Sequence, residues 1–252
     1  MVTGVPSSQD GSARDDPPLT PDVVAEVFGD RSDLATRYVA RLADTGISHG
    51  LVGPREGPRL WHRHVLNCAV VHPLFGEGAA VADIGSGAGL PGLVLAIVRP
   101  DLHLHLIEPL NRRTVWLHRT VDDLGLDNVT IHEGRAESLW GVRRFPYVTA
   151  RAVARIGELA RWSLPLVAAG GRLHALKGAG AQEELDADRA LLRTLGGSAA
   201  VVESCGRGVV DPETVVLSIS VDAAVSGRRT PSGRARNKGR RLGRPRPGRP
   251  AG

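Results

Sequence analysis

Short β-rich runs alternate with helical stretches between residues 79 and 221, and this alternation constrains the fold more than any other feature. The runs are AVADI, LHLHLIE, NVTIHE, YVTARAV and GRLHALK, and the segments between most of them carry apolar residues at helical spacing. Such repeats form right-handed crossovers and a parallel sheet. The last two runs, SAAVVESC and ETVVLSISV, have only a loop between them, so we expect them to pair antiparallel. The predicted class is α/β, with a mostly parallel sheet and an antiparallel last strand.

The domain organisation follows from where these patterns begin and end. Residues 21–75 carry helical spacing in two stretches, 21–46 and 59–75, and predict a helical extension in front of the sheet. We expect one domain over 21–222, with the α/β core at 79–222. Residues 1–20 and 223–252 are predicted to be disordered.

The charge of the chain is divided unevenly. The 252 residues include 32 basic and 27 acidic residues, but ten of the basic ones and none of the acids lie in 227–252. The remainder has 22 basic and 27 acidic residues, a net charge of −5. A tail of one sign that is rich in Gly and Pro suits a polyanion such as RNA, and Arg240 and Arg241 are candidate contacts within it. The alternative is a solubilising extension.

Cysteine usage and hydropathy favour the cytoplasm. Cys68 and Cys205 fit no disulfide or metal-ligand spacing, and we predict no metal site. The first residues have no basic segment followed by an apolar one, and no apolar run approaches the roughly 18 residues of a membrane span.

The stretch VADIGSGAGLPG, residues 81–92, follows the first predicted strand and precedes a helix that we expect to begin at Pro91. Glycines here let backbone amides approach a ligand. From Asp83 the string is D-x-G-x-G-x-G, typical of S-adenosylmethionine (SAM) methyltransferases; from Gly87 it fits the G-x-G-x-x-G of dinucleotide-binding folds. The loop residues predicted to bind the cofactor are Asp83, Gly85, Ser86, Gly87, Gly89 and Leu90.

Two features favour SAM over a dinucleotide. A carboxylate at Asp83 can act on the amino-acid end of SAM or order the loop, whereas it would repel a pyrophosphate. The antiparallel final pair suits the Rossmann-like sheet of SAM-dependent methyltransferases. Glu108, at the end of LHLHLIE, fits the ribose of either ligand and does not discriminate between them.

Several motifs in order resemble one bacterial family: GLVGPREGPRLWHRHVLNCAVV, ADIGSGAGLPGLVLAI, IEPLNRRTVWL, HEGRAES and VTARAVA. They are similar to the family once called glucose-inhibited division protein B, and most to its actinobacterial members. The resemblance covers residues 23–221 and implies a methyltransferase that uses SAM to modify guanine N7 in 16S ribosomal RNA. Carried over by residue, it places Gly85, Leu90, Ala136, Glu137 and Arg151 around SAM, with Glu108 at the ribose.

Methylation of N7 requires no general base, because this nitrogen already has a lone pair and no proton; we therefore assign no catalytic side chain. Methyltransferases of exocyclic amines commonly carry N/D-P-P-Y/F/W after the fourth strand, where this chain has TARA. Candidate RNA contacts outside the tail are Arg55, Arg59, Arg63, His64, Arg112, Arg113 and Lys177. We expect the partner to be 16S rRNA or the small subunit, and the protein to be a monomer.

Two other functions remain open at this stage. One is a dinucleotide-dependent oxidoreductase that uses Gly87, Gly89 and Gly92. The other is a noncatalytic RNA-binding protein that SAM only stabilises.

Overall fold

A computed structural model describes residues 21–227, which form one seven-stranded sheet with helices on both faces. The strands are β1 Ala80–Ile84, β2 His103–Glu108, β3 Val129–Glu133, β4 Phe145–Arg151, β5 Val167–Lys177, β6 Ala199–Cys205 and β7 Thr214–Val221. The α-helices are α1 Pro21–Phe28, α2 Ser32–Arg41, α3 Asn67–Ala69, α4 Gly92–Val98, α5 Asn111–Leu124, α6 Ile156–Ser163 and α7 Ala181–Thr194. A π-helical stretch, Leu60–Leu66, runs directly into α3.

The strand order is β3-β2-β1-β4-β5-β7-β6. β1 to β5 are parallel to one another, whereas β7 lies antiparallel between β5 and β6. The predicted mostly parallel sheet, antiparallel last strand and N-terminal helices are confirmed. The order reverses between β1 and β4, and the crevice at the carboxyl ends of the strands at such a point is where open α/β sheets bind ligands.

The two faces of the sheet have separate hydrophobic cores. One core joins β1 and β2 to α4, α5 and the N-terminal helices, and the other joins β1, β4 and β5 to α6 and α7. Every residue of α4, with the sequence GLVLAIV, is buried except the last, which is half-buried. Because α4 is apolar on all sides, the side that faces away from the sheet must also be buried. Helices α1, α2 and α3 pack against it there.

Several predicted boundaries differ from the structure. β5 begins at Val167, whereas the predicted run GRLHALK begins at Gly171. Helix α4 begins at Gly92, with Pro91 at its N-cap. β4 ends at Arg151 rather than at Val153, because Ala152 takes a left-handed conformation (φ 53°) that a strand cannot continue through. The pattern IGELARWSLPLV predicts a helix over 156–167, but α6 ends at Ser163 and is followed by a 3₁₀ turn, Leu164–Leu166, because Pro165 has no N–H for the helical ladder.

The chain beyond β7 contacts the segment that precedes β4. The carbonyl of Val225 accepts a hydrogen bond of 2.7 Å from Arg144, and Gly227 lies against the ring of Trp140. The segments 1–20 and 228–252, which include Arg240, Arg241 and nearly all of the two predicted disordered ends, lie outside the described residues.

Candidate functional site: a crevice at the carboxyl edge of the sheet

The loop between β1 and α4 turns through three glycines in the left-handed region. Gly85, Gly87 and Gly89 have φ angles of 68°, 56° and 86°, which other residues adopt only with strain. The carbonyl of Ile107 at the end of β2 accepts from the N–H groups of Gly85 (2.8 Å) and Ser86 (3.3 Å). The loop is thereby fixed across the ends of β1 and β2, with its glycine backbone at the crevice.

Asp83 lies beneath this loop and is fully buried. Its Oδ2 accepts a 3.0 Å hydrogen bond from the N–H of Gly92, and its Oδ1 has no partner. A Cβ at Gly92 would stand 2.7 Å from Oδ2 and 2.2 Å from Leu106 Cδ2, so only glycine fits there. Of the two roles considered for Asp83, the contacts correspond to ordering the loop. Burial raises the pKa of Asp83 to about 7, against the opposing effect of the Gly92 hydrogen bond.

Glu108 ends β2 and is also buried, but both of its carboxylate oxygens have partners. Oε2 accepts from the N–H of Gly87 and Oε1 from that of Leu110, each at 3.0 Å. Arg113 Nη1 lies 3.5 Å from Oε2. An ionised carboxylate has about four lone-pair positions, so these two hydrogen bonds leave lone pairs that ribose hydroxyls could use, on a side chain that is 1% exposed. Arg113, which we predicted to contact RNA, therefore lies beside the predicted ribose site.

The loop after β3 closes the crevice on one side. The N–H of Gly134 donates to the carbonyl of Glu108 at 3.0 Å, which brings the β3 loop against the end of β2. Ala136, 5% exposed, opens a short 3₁₀ helix, Ala136–Leu139, and Glu137 follows it half-buried. Ala136 and Glu137 thus lie on the same edge of the sheet as the glycine loop.

Arg151 ends β4, but its guanidinium contacts the N-terminal helical layer. It donates to the carbonyls of Arg63 (2.8 Å) and His64 (3.2 Å), to His64 Nδ1 (2.8 Å) and to Cys68 Sγ (3.2 Å). Because Nδ1 of His64 accepts a hydrogen bond from Arg151, Nε2 carries the ring hydrogen. It donates a hydrogen bond of 2.8 Å to Glu56 Oε2. Burial and the adjacent Arg151 charge lower the pKa of His64.

Val153 was not identified from the sequence, yet it faces the glycine loop. Its Cγ2 is 3.0 Å from the position that a Cβ on Gly85 would occupy. It follows Ala152, the only residue other than glycine with positive φ among residues 21–227. The sequence feature that could have identified Val153 is its position directly after the fourth strand, in a loop at the carboxyl ends of the strands.

The other predicted RNA contacts differ in exposure. Arg55, Arg63 and Arg112 are exposed, and Arg59 is half-buried. Lys177 is not an open surface cation, because its Nζ donates to Ala154 O and to Glu184 Oε2, each at 2.8 Å.

The crevice fits SAM on two observations. The loop from Gly85 to Gly89 has three glycines at positive φ and therefore presents backbone without Cβ atoms at these positions, and Glu108 has lone pairs without a hydrogen bond beside it. No group of three His, Cys, Asp or Glu side chains in the part of the chain that the structure describes could hold a metal ion. No helix between residues 21 and 227 is long and apolar enough to cross a membrane.

The sheet order, glycine loop and strand-end acid define a SAM-dependent methyltransferase. The same fold occurs in a crystal structure from Methanococcus maripaludis, described as a SAM-dependent methyltransferase, with a TM-score of 0.50 and 14% identity over 77% of this chain and 93% of that one. The family model for rRNA small subunit methyltransferase G matches residues 31–214. This chain belongs to that family.

Curated relatives share about half of their residues with this chain. Ribosomal RNA small subunit methyltransferase G of Paenarthrobacter aurescens is 52% identical over 78% of this chain and 91% of its own length. The protein of the same name from Thermobifida fusca is 51% identical over 81% of this chain and 86% of its own. The resemblance seen in the sequence is confirmed, and the oxidoreductase and noncatalytic alternatives are not favoured.

Proposed function

We propose that the protein transfers a methyl group from SAM to N7 of a guanine in the 16S rRNA of the small ribosomal subunit. The proposal rests above all on the family match over residues 31–214, which coincides with the crevice at the strand ends. A noncatalytic protein that binds SAM would have the same loop and acid, so the relatives named as methyltransferases and a turnover assay distinguish the two.

SAM supplies a methyl group on a positively charged sulfur: the N7 lone pair forms the new bond to carbon, and the carbon–sulfur electrons remain on sulfur. The work of the chain is to hold both reactants in line. The loop from Gly85 to Gly89 and Leu90 would hold the cofactor, with Glu108 at its ribose and Ala136 and Glu137 at its adenine. Arg151, at the end of β4, would lie on the other side of the cofactor. Asp83 would contribute by ordering the glycine loop.

No side chain needs to remove a proton. N7 carries none in neutral guanine, and the positive charge that moves onto the base leaves the sulfur at the same time. We therefore assign no general base, and expect the rate to depend on positioning and not on the titration of one group.

The RNA contacts follow from exposure and charge. The exposed Arg55, Arg63 and Arg112 suit phosphate, and Arg240 and Arg241 belong to a segment with ten basic residues and no acid. Since the rest of the chain has a net charge of −5, we propose that this segment supplies part of the affinity for RNA. A 16S substrate also implies a cytoplasmic enzyme, and we propose that it acts as a monomer.

The test is methyl transfer from radiolabelled SAM to small subunits from a strain that lacks the protein, followed by mapping of the labelled base. Gly85→Arg should abolish transfer. The control is Gly125→Arg, because Gly125 has nearly the same φ of 66° but nothing within 4 Å of its Cβ position. Label on one N7-methylguanine with the wild type and the control supports the proposal; SAM binding without label on subunits or free 16S rRNA would refute it.

A further inference from the structure

A pocket of about 660 Å³ lies next to the cofactor crevice, at the carboxyl ends of β4 and β5 and the start of β7. The two spaces share a wall, because Val153 lines this pocket and also faces Gly85. Its volume is in the range of small-molecule sites. A group bound in this pocket would therefore lie beside the glycine loop.

Hydrogen bonds hold the walls of the pocket in place. Glu184 Oε2 accepts from Lys177 Nζ at 2.8 Å and from the N–H of Ile156 at 3.0 Å, and Lys177 also holds the carbonyl of Ala154. On the opposite side, Thr214 donates to Asn67 Oδ1 at 3.0 Å. The pocket is preformed, and the binding of a ligand need not order it.

Glu184 and Glu213 are the two acidic side chains that line this pocket. Glu184 already accepts the hydrogen bonds from Lys177 and Ile156 that hold the wall. Glu213 Oε1 accepts from Arg207 Nε at 3.0 Å, but the Arg207 side chain is 92% exposed. An ion pair with so exposed a partner contributes little, so a ligand can replace it at low cost.

The chemistry of guanine matches a carboxylate whose ion-pair partner, Arg207, is exposed. Guanine carries its N1–H and 2-amino donors side by side on its Watson–Crick edge, whereas N7 is an acceptor on the other side of the base and O6 is an acceptor between the two edges. A carboxylate only accepts, and its two oxygens can take both donors at once. Adenine has no donor at N1 and would place a lone pair against the carboxylate.

We propose that this pocket receives the acceptor guanine, unstacked from the RNA, and that Glu213 binds its N1–H and 2-amino groups. Held by that edge, the base keeps N7 free and directed away from Glu213. The inference rests on the proposed function and deepens it, because it assigns the specificity for guanine to one residue.

The test compares two acceptors: 16S rRNA with guanine at the labelled position, and the same RNA with inosine there, which lacks the 2-amino group. The wild type should have a higher kcat/KM for guanine than for inosine, since the loss of one hydrogen bond to a charged group corresponds to a decrease of about 10- to 100-fold. Glu213→Gln should lower kcat/KM for guanine by a similar factor and reduce the preference over inosine about tenfold. Comparing the variant with the wild type cancels any effect of inosine on the RNA itself.

Two further variants separate recognition from structure. Arg207→Ala removes the partner and leaves the carboxylate, so the preference for guanine should persist. Glu213→Asp keeps a carboxylate and should retain more of this preference than Glu213→Gln. An equal guanine-to-inosine ratio in the wild type and in Glu213→Gln, with unchanged SAM affinity, would overturn the inference alone. No label on any 16S guanine with the wild type would overturn the proposed function as well.

Discussion

Replacement of Asp83 by Asn should change how the stability of the protein depends on pH. Asp83 is fully buried, and its pKa is raised from 3.8 to about 7. The difference between these values corresponds to about 4 kcal/mol, an upper bound for so buried a group. The amide of the variant has nearly the same shape and can accept the hydrogen bond from Gly92 N–H, but it does not ionise.

Whether stability rises or falls with pH depends on which state, folded or unfolded, binds more protons. Below pH 3.8 the carboxyl is protonated in both states and contributes no pH dependence. Between pH 3.8 and 7 the unfolded chain loses this proton and the folded protein keeps it, so stability falls as pH rises, by at most about 1.4 kcal/mol per pH unit. Above pH 7 both states are ionised and the penalty is constant.

The assay is urea unfolding of the wild type and Asp83→Asn between pH 4 and 8. The free energy of unfolding of the wild type minus that of the variant should fall with rising pH, by up to about 4 kcal/mol. The other titrating groups cancel in this difference. Asp127→Asn, at an exposed position, is the control and should change by less than about 0.5 kcal/mol. A difference between the wild type and Asp83→Asn that stays constant over the range would refute the burial of an ionisable carboxyl beneath the loop.

Three further perturbations test the loop, its support and the tail. Gly92→Ala should cost about 1–3 kcal/mol of stability by overpacking, because its Cβ would lie 2.7 Å from Asp83 Oδ2; thermal unfolding measures this. Tyr38→Phe should cost about 1–3 kcal/mol, because the buried Tyr38 hydroxyl donates at 2.7 Å to the carbonyl of Ala88, which would lose its partner; it should also weaken SAM binding. Truncation after Gly227 should weaken RNA binding and flatten its salt dependence, by about 0.7 in slope for each lost phosphate contact on single strands.

Controls keep these outcomes interpretable. Gly53→Ala places a Cβ no closer than 3.7 Å to its neighbours and should leave the melting temperature nearly unchanged. The truncation ends at Gly227 and not at Asp222, because Val225 is bound by Arg144. An unchanged salt slope would contradict a role for the tail in RNA binding, and unchanged SAM affinity in Tyr38→Phe would show that the helical layer does not support the loop.

The sequence by itself determined the sheet and the position of the cofactor loop. Alternating β-rich and helical segments dictate parallel crossovers, and the missing helix before ETVVLSISV dictates an antiparallel strand there. Gly85, Gly87 and Gly89 mark a turn between a strand and a helix, and the structure gives all three positive φ angles, which glycine adopts readily because it has no Cβ. These are local properties of the chain, and they can be recognised without knowledge of the tertiary contacts.

The tertiary structure decided what the polar side chains contact. Arg151 turns to His64, 87 residues away, and Lys177 closes on Ala154 and Glu184, although both were predicted to bind ligands directly. Val153 meets Gly85 only because β1 and β4 are neighbours in the sheet. A long charged side chain can reach many partners from one backbone position, and packing between distant segments selects among them. The pattern of residues therefore fixed where the site lies, and the three-dimensional packing fixed which side chains are free to act in it.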